Sequence, residues 1–264
     1  GLPFELAHDV WLGTRRPRGN LVAQSLVTYG LTPDAMCLNS LRISRIAVLP
    51  QYRRQKIAAT LIANIVKESQ KQTIDYLSVS FGYTEVLAQF WMQCGFQIVR
   101  LGVHKEASSG CYAAMAIYPL TEKGKQLLHS SLRAFALQYP QIEQQTKLCL
   151  ADKLIPRPIA TPQDDWLMMA GFAFAHRPAL TVYESVANFL VGYEQHYPLL
   201  VAFFIDNKSV EQCMAEFSLL GKKVLTKQLR EQCAHLMAEK DAQLTSRYQQ
   251  WLATYSHPSC FDFV

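Results

Sequence analysis

Apolar positions recur at helical spacing over residues 3–12 and 20–29, which predicts two short helices. Between them lies Gly13-Thr14-Arg15-Arg16-Pro17-Arg18-Gly19, polar and flanked by glycines. The period then changes. Residues 42–49 read as a short apolar strand that ends at a proline, and residues 54–70 as a helix carrying Ile57, Leu61, Ile62, Ile65 and Val66 on one face. Residues 75–81 alternate and are rich in β-formers, which predicts a strand broken by Gly82. Thr84 is a good N-cap for a short helix to about Gln93, and Gly95 suits the position after its end. Two further strands, 96–103 and 111–118, flank a polar turn at 104–110. That order, strand–helix–strand–helix–strand–strand, describes one right-handed crossover closed by a hairpin.

Past Pro119 the strand signals vanish. Residues 121–139 predict a helix ended by Pro140, and a proline-rich connector occupies 155–162. Asp164 and Asp165 then stand at the mouth of another helix, where acids are favoured. Helical patterns continue to residue 255, interrupted near Pro178, Pro198 and Gly221. The expected class is α+β: a mixed sheet with flanking helices over 1–119, a connecting helix and linker over 120–162, and an all-α tail over 163–264.

Charge sharpens this division. Residues 1–119 hold 12 Lys/Arg against 7 Asp/Glu, whereas residues 120–264 hold 14 of each. The net charge of +5 therefore sits with the first region, as either polyanion or cofactor binding would require. The seven cysteines are scattered with no CxxC pair, which argues against a disulfide framework or a zinc site and for a reducing cytoplasm. The histidines show no ligand spacing, so no metal site is expected. No apolar run is long enough to suggest a membrane span, and no signal peptide is visible. Starting at Gly1, the sequence reads as a trimmed portion of a longer chain.

The most informative chemistry lies where the strand at 42–49 meets the helix. A strand stopping at a basic turn, with Arg53, Arg54 and Lys56 before a helix start, suits a phosphate-bearing cofactor. The first-turn amides have no internal partners there, and the helix dipole favours an anion. Arg53-Arg54-Gln55-Lys56-Ile57-Ala58 falls on the acetyl-CoA motif of the GNAT acetyltransferases, and Phe90-Trp91-Met92-Gln93-Cys94-Gly95-Phe96 resembles a second segment of that family. The segments beginning at Arg18, Ser44, Asp75, His104 and Asp164 resemble more narrowly the bacterial tRNA(Met) cytidine acetyltransferase family, over nearly the whole chain.

This resemblance implies a GNAT-type sheet with its N-terminal part truncated. It also implies N4-acetylation of the wobble cytidine of elongator tRNA(Met), with acetyl-CoA as donor. Cofactor contacts then fall on Ile46, Ala47 and Val48 in the strand, on Arg53, Arg54, Gln55, Lys56, Ile57, Ala58 and Ala59 in the turn, and on Trp91. The family's full-length members carry an upstream ATP-dependent helicase-like module. No P-loop motif occurs in this sequence, so ATP would act only through that absent module. The tail becomes a candidate tRNA-binding domain.

Two departures matter. Lys56 and Ala58 stand where the motif has glycines, and Ala58 is an allowed variant. Lys56 either turns its side chain outward and adds attraction, or weakens cofactor binding. Because a helix follows, the expectation is that Lys56 keeps right-handed helical dihedrals and that binding is retained. Trp91 stands where many relatives have a tyrosine acid; it packs on the cofactor or belongs to the core.

The chemistry needs an acceptor for the amine proton and a donor to the thioester oxygen. The Val48 amide is the candidate donor, and His104 and Glu106 are candidate acceptors unless they form a hairpin rim. Arg15, Arg16, Arg18 and Lys105 are candidate RNA contacts, with a solvated loop as the alternative for the arginines. The cations at Lys222, Lys223, Lys227 and Arg230 read as a solvated face or as a tRNA clamp. Competing readings are a tRNA-binding module with a weakened acetyl-CoA site, and a GNAT enzyme acting on a protein or small amine.

Overall fold

A computed structural model describes residues 1–107, 109–155 and 161–254. Ser108, residues 156–160 of the predicted connector, and the last ten positions with His257 and Cys260 lie outside the described residues. β-Branched and aromatic residues at alternating positions build the central strand of a four-stranded sheet. Its strands are β1 (Ser40–Ile43), β2 (Tyr76–Gly82), β3 (Gln97–Lys105) and β4 (Tyr112–Pro119), in the order β1-β2-β4-β3. β1 runs parallel to β2, and the other pairs are antiparallel, so the sheet is mixed as expected.

Three helices precede the sheet: α1 (Phe4–Leu12), α2 (Leu21–Tyr29) and the four-residue α3 (Asp34–Cys37), which no sequence signal announced. α4 (Ile57–Gln70) and α5 (Glu85–Gln93) complete the crossover. Thr84 caps α5, its hydroxyl accepting from the Leu87 amide at 3.2 Å. Gly95 ends the same turn at φ 88°, the left-handed conformation that glycine adopts without penalty.

The connecting helix is α6 (Glu122–Thr146), and the tail comprises α7 (Pro162–Phe174), α8 (Tyr183–Leu190), α9 (Pro198–Leu200) running into a π turn over Val201–Ile205, α10 (Val210–Glu216), α11 (Lys222–Lys240) and α12 (Ala242–Ala253). Pro140 does not end α6, which continues six residues beyond it. A proline inside a helix costs about 3 kcal/mol. Burial of Gln138, Gln141 and Ile142 on that helix, and a 2.6 Å hydrogen bond from Gln138 Nε2 to the Tyr29 carbonyl, hold the turn together.

Two apolar clusters cover the sheet. One sets Leu77, Val79, Ala114 and Ala116 against Ile62 of α4 and Trp91 of α5. The other joins Tyr76, Met115 and Ile117 to α1–α3 and to α7, α8, α11 and α12, so the first helices and the tail share one core.

Arg177 ties that core together. The side chain is fully buried, and its guanidinium lies 4.1 Å from the Trp11 ring centre. It donates to the Trp11 carbonyl at 3.2 Å and the Gly30 carbonyl at 2.7 Å. Those carbonyls are the C-terminal ends of α1 and α2, where the dipole favours a cation. Burial pulls the Arg177 pKa down to about 9, which still leaves it charged at neutral pH. The helix carbonyls that Arg177 satisfies therefore belong to α1 and α2 and not to α7, the helix it follows.

Gly171 in α7 makes this possible. A Cβ there would overlap Arg177 Cδ and lie 3.0 Å from Trp11 Cη2.

The strand expected over 42–49 is shorter than its sequence. β1 stops at Ile43, residues 44–49 leave the ladder, and Pro50–Tyr52 form a 3-10 turn. α4 begins at Ile57 rather than 54, because Arg54 (φ 61°) and Lys56 (φ 60°, ψ 8°) are left-handed. The expectation that Lys56 keeps right-handed helical dihedrals is therefore wrong. The left-handed region costs an L-residue roughly 1–2 kcal/mol. His104 and Lys105, expected in the turn, belong to β3, since the ladder runs on to the pair Lys105–Tyr112.

Two substitutions test these features by unfolding in denaturant. Gly171→Ala is expected to lose about 1–3 kcal/mol through overpacking, although the same change in a helix interior ordinarily gains about 0.5–1; equal or greater stability would contradict the packing. Lys56→Gly is expected to leave stability unchanged or raise it by up to about 1 kcal/mol, since relieved strain offsets lost chain entropy, whereas Lys56→Val should destabilise. A clear loss on Lys56→Gly would show that the lysine is unstrained.

Candidate functional site

A wedge opens beside the central strand. Pairing between β1 and β2 covers Ser40–Ile43 against Tyr76–Val79. β2 continues through Ser80, Phe81 and Gly82, whose ladder partners lie on β4 alone. Residues 44–49 form no ladder with these three, with Ile46 and Val48 half-buried and Ala47 exposed. Backbone that leaves a ladder keeps amides and carbonyls for something else to pair.

The chain then turns into α4. Arg53, Arg54, Gln55, Lys56 and Ile57 are all exposed, and Ala58 and Ala59 are half-buried at the helix start. Lys56 supplies no side-chain cap, which leaves the first-turn amides of α4 directed into the turn. Arg53 Nε donates to the Val48 carbonyl at 3.1 Å, and Gln55 Nε2 to the Gln51 carbonyl at 3.3 Å, so two side chains fix the shape of the turn. Arg54 and Lys56 are exposed and form no ion pair among the described residues. Uncapped amides at a positive helix end, with unpaired cations around them, fit a pyrophosphate.

The β3–β4 hairpin comes to the same end of the sheet. Its turn is closed by the Glu106 amide on the Cys111 carbonyl at 2.9 Å and the Gly110 amide on the Glu106 carbonyl at 2.8 Å. Ser109 Oγ donates to the Glu106 carboxylate at 3.3 Å. The turn rests on the end of β2, where a Cβ on Gly82 would lie 3.1 Å from Cys111 Cβ and 3.4 Å from Ser109 Oγ.

His104 and Lys105 stand on β3, the strand farthest from β1 in the sheet order. Three strand spacings of about 4.8 Å put them roughly 14 Å from the wedge's β1 side. Glu106, whose partner Ser109 lies against Gly82, is closer. His104, Lys105 and Glu106 are all exposed, and Lys105 Nζ sits 5.7 Å from the Tyr112 ring centre.

Trp91 is not brought to the turn. It is 3% exposed and packs edge-on against Phe90 and Phe96, at 5.3 and 5.1 Å. Arg15, Arg16 and Arg18 are exposed on their loop, Arg15 lying 3.8 Å from Asp9. In the tail cluster, Lys227 lies 3.7 Å from Glu231, and Arg230 turns inward, donating to the Arg177 carbonyl at 3.2 Å. Among the described residues no group of His, Cys, Asp and Glu could hold a metal ion. No helix there is long and apolar enough to cross a membrane.

Three nearby residues escaped the sequence reading. Arg42 and Arg45, exposed near the end of β1, read as ordinary strand residues in the sequence. Tyr83 follows β2 directly, and its amide donates to the Tyr112 carbonyl at 2.7 Å. Burial, with Glu85 and Cys149 adding to it, raises the Tyr83 phenol pKa, so the hydroxyl stays a donor at neutral pH.

A family model described as GNAT acetyltransferase 2 matches residues 51–121, which begin in the turn and end after β4. A second, described as a tRNA-binding domain, matches residues 124–243, from α6 through α11. The tRNA(Met) cytidine acetyltransferase TmcA of Pectobacterium atrosepticum is 45% identical over 258 residues, 96% of this chain and 37% of the relative. Its namesake from Photorhabdus asymbiotica is 41% identical over 271 residues, covering 98% and 39%. That of Haemophilus influenzae is 33% identical over 217 residues, covering 80% and 32%. The chain thus spans between 32% and 39% of the length of these relatives, and it belongs to the tRNA(Met) cytidine acetyltransferase family, of which it holds the GNAT and tRNA-binding portions.

Proposed function

We propose that this chain transfers the acetyl group of acetyl-CoA to the N4 amine of the wobble cytidine in elongator tRNA(Met). The observation that carries the reading is the wedge: β1 leaves β2 at Ile43, and the chain then runs through a 3-10 turn into the uncapped start of α4 at Ile57, with the unpaired cations Arg54 and Lys56 just before it. The relatives' printed activity supplies the substrate. In this reading residues 1–119 do the chemistry, 120–162 connect, and 163–264 bind tRNA. ATP belongs to a module beyond this portion, and the compartment is the cytoplasm.

Each part of the cofactor has a counterpart here. Amides at Gln55, Lys56, Ile57, Ala58 and Ala59 would receive the pyrophosphate, with Arg53 and Arg54 adding charge. Ile46, Ala47 and Val48 would pair with the pantetheine amides, as a strand pairs with its neighbour. Acetyl-CoA supplies an activated thioester carbonyl. The cytosine amine is a weak nucleophile because its lone pair is delocalised into the ring. Holding it against the carbonyl is the first contribution of the site. The Val48 amide would donate to the oxygen that gains charge as the N–C bond forms.

As the C–S bond breaks, the amine proton passes to a base and the thiolate gains a proton. Glu106 is the better-placed acceptor of the two candidates, and the Tyr83 hydroxyl is a candidate donor to sulfur. Arg15, Arg16, Arg18 and Lys105 would hold the RNA backbone around the exposed anticodon loop. The left-handed Lys56 favours a second reading, a tRNA-binding module whose acetyl-CoA site is weak. A basic rather than acidic surround speaks against a basic protein or polyamine as acceptor.

Calorimetry separates the first two readings. Titration of the chain with acetyl-CoA is expected to show one saturable site, tightened by Lys56→Gly; no heat at high cofactor concentration would leave only the module. In an acetyl-transfer assay on transcribed tRNA, Glu106→Gln is expected to lower kcat by about 10²-fold or more with acetyl-CoA affinity unchanged. His104→Ala should do less. The reverse order would move the proton-acceptor role to His104.

A further inference from the structure

The richest anion-binding chemistry outside the turn lies between the first arginine loop and β1. A cleft of about 360 Å³ opens there, at the lower end of the range for small-ligand pockets, about 300–1,000 Å³. Arg16 and Arg42 line it together with Asn20, Gln24, Ser25 and Thr28, and no carboxylate is among its lining residues. Both guanidinium groups are exposed, and neither forms a hydrogen bond or ion pair among the described residues. The two arginines come from segments 26 positions apart in sequence, brought together because α2 packs against β2, the strand next to β1.

The loop is held in shape. Gln24 Nε2 donates to the Pro17 carbonyl at 2.7 Å and also to that of Gly19, which fastens the residues after Arg16 onto the first turn of α2. Two guanidiniums facing one polar cleft, one of them on a strand, repel each other without an anion between them. Oxygen-rich monoanions that accept several N–H bonds at once are the natural occupant. Position narrows this further. Arg42 pairs with Ser78, one residue before the β1–β2 ladder ends at Ile43, so the cleft lies beside the strand end that leads into the proposed site of acetyl transfer.

The geometry points to this Arg16–Arg42 cleft as a phosphodiester subsite that grips the RNA strand beside the nucleotide entering the wedge. This rests on the proposed transfer to tRNA and adds to it a residue, Arg42, that the sequence did not single out. The basic end of α11 is a poorer candidate, because Glu231 neutralises Lys227 and Arg230 is turned inward.

Arg16→Gln, Arg42→Gln and the double variant test it, with Lys71→Gln as a surface control. Binding of transcribed tRNA is measured by fluorescence anisotropy across a salt series, and acetyl-CoA binding by calorimetry. In the double variant the slope of log Kd against log salt is expected to fall by about 1, with weaker binding at low salt. The Lys71→Gln slope and every acetyl-CoA isotherm should match the unsubstituted chain. A double variant with the original slope overturns the subsite. So does a chain that binds no tRNA, or a loss of acetyl-CoA affinity without a change in slope, which would assign the phosphate to the cofactor. A fall in slope in a chain that ignores acetyl-CoA supports the subsite and removes the transfer reading instead.

Discussion

A buried cation with no carboxylate beside it holds this structure together. Arg177 spans from the tail to the ends of α1 and α2, and among the described residues its guanidinium meets carbonyl oxygens, the Trp11 face and a methionine sulfur, with Nε left without a hydrogen-bond partner. Taking such a group out of water costs several kcal/mol. The cost is met by two helix C-termini, whose carbonyls have no intrahelical donor and whose dipoles present negative charge. Removal of the arginine would strand the Trp11 carbonyl and leave Gly30 with the Trp11 indole alone, and loss of the helices would strand the arginine. Each side therefore requires the other. Trp11 adds its own indole N–H to the Gly30 carbonyl at 3.2 Å, and the backbone of His176 reaches the Leu12 carbonyl at 2.7 Å.

This constraint explains how one chain can serve both a sheet and a helical tail. α2 is gripped at its C-terminal end from three directions: Arg177 on Gly30, Gln138 on Tyr29, and the Arg100 guanidinium 3.2 Å from the Tyr29 ring centre. The sheet contributes Arg100, the connecting helix Gln138 and the tail Arg177. A helix fixed in this way also fixes the loop before it, and that loop carries Arg15, Arg16 and Arg18. The basic loop is consequently positioned by the tail, although it belongs in sequence to the first helices. Proximity to β1 follows, and with it the juxtaposition of Arg16 and Arg42.

Much of the secondary structure was legible from periodicity and caps. Thr84, Gly95 and the alternation at 76–82 each act locally, and each placed its element within a residue or two. The failures share a cause that is not local. Residues 44–49 are as apolar as those before them, so nothing in their composition says that the ladder stops at Ile43. Register with β2 decides it. The left-handed dihedral at Lys56 belongs to the turn geometry, which a non-glycine residue obeys at a cost. Pro140 sits inside α6 because burial on that helix outweighs a lost hydrogen bond. Of the site, the turn was legible by its charge and motif. The burial of Trp91, the strand position of His104 and the nearness of Ser109 to Gly82 needed the tertiary structure.

The central claim is that the wedge and the uncapped start of α4 form one cofactor site. A crystal structure of the chain with acetyl-CoA tests it most directly. The account predicts pyrophosphate on the amides of residues 55–59 and pantetheine alongside Ile46, Ala47 and Val48, with the acetyl group directed between residues 44–49 and the end of β2. Acetyl-CoA bound elsewhere, or residues 44–49 zipped onto β2 with the wedge closed, would contradict it.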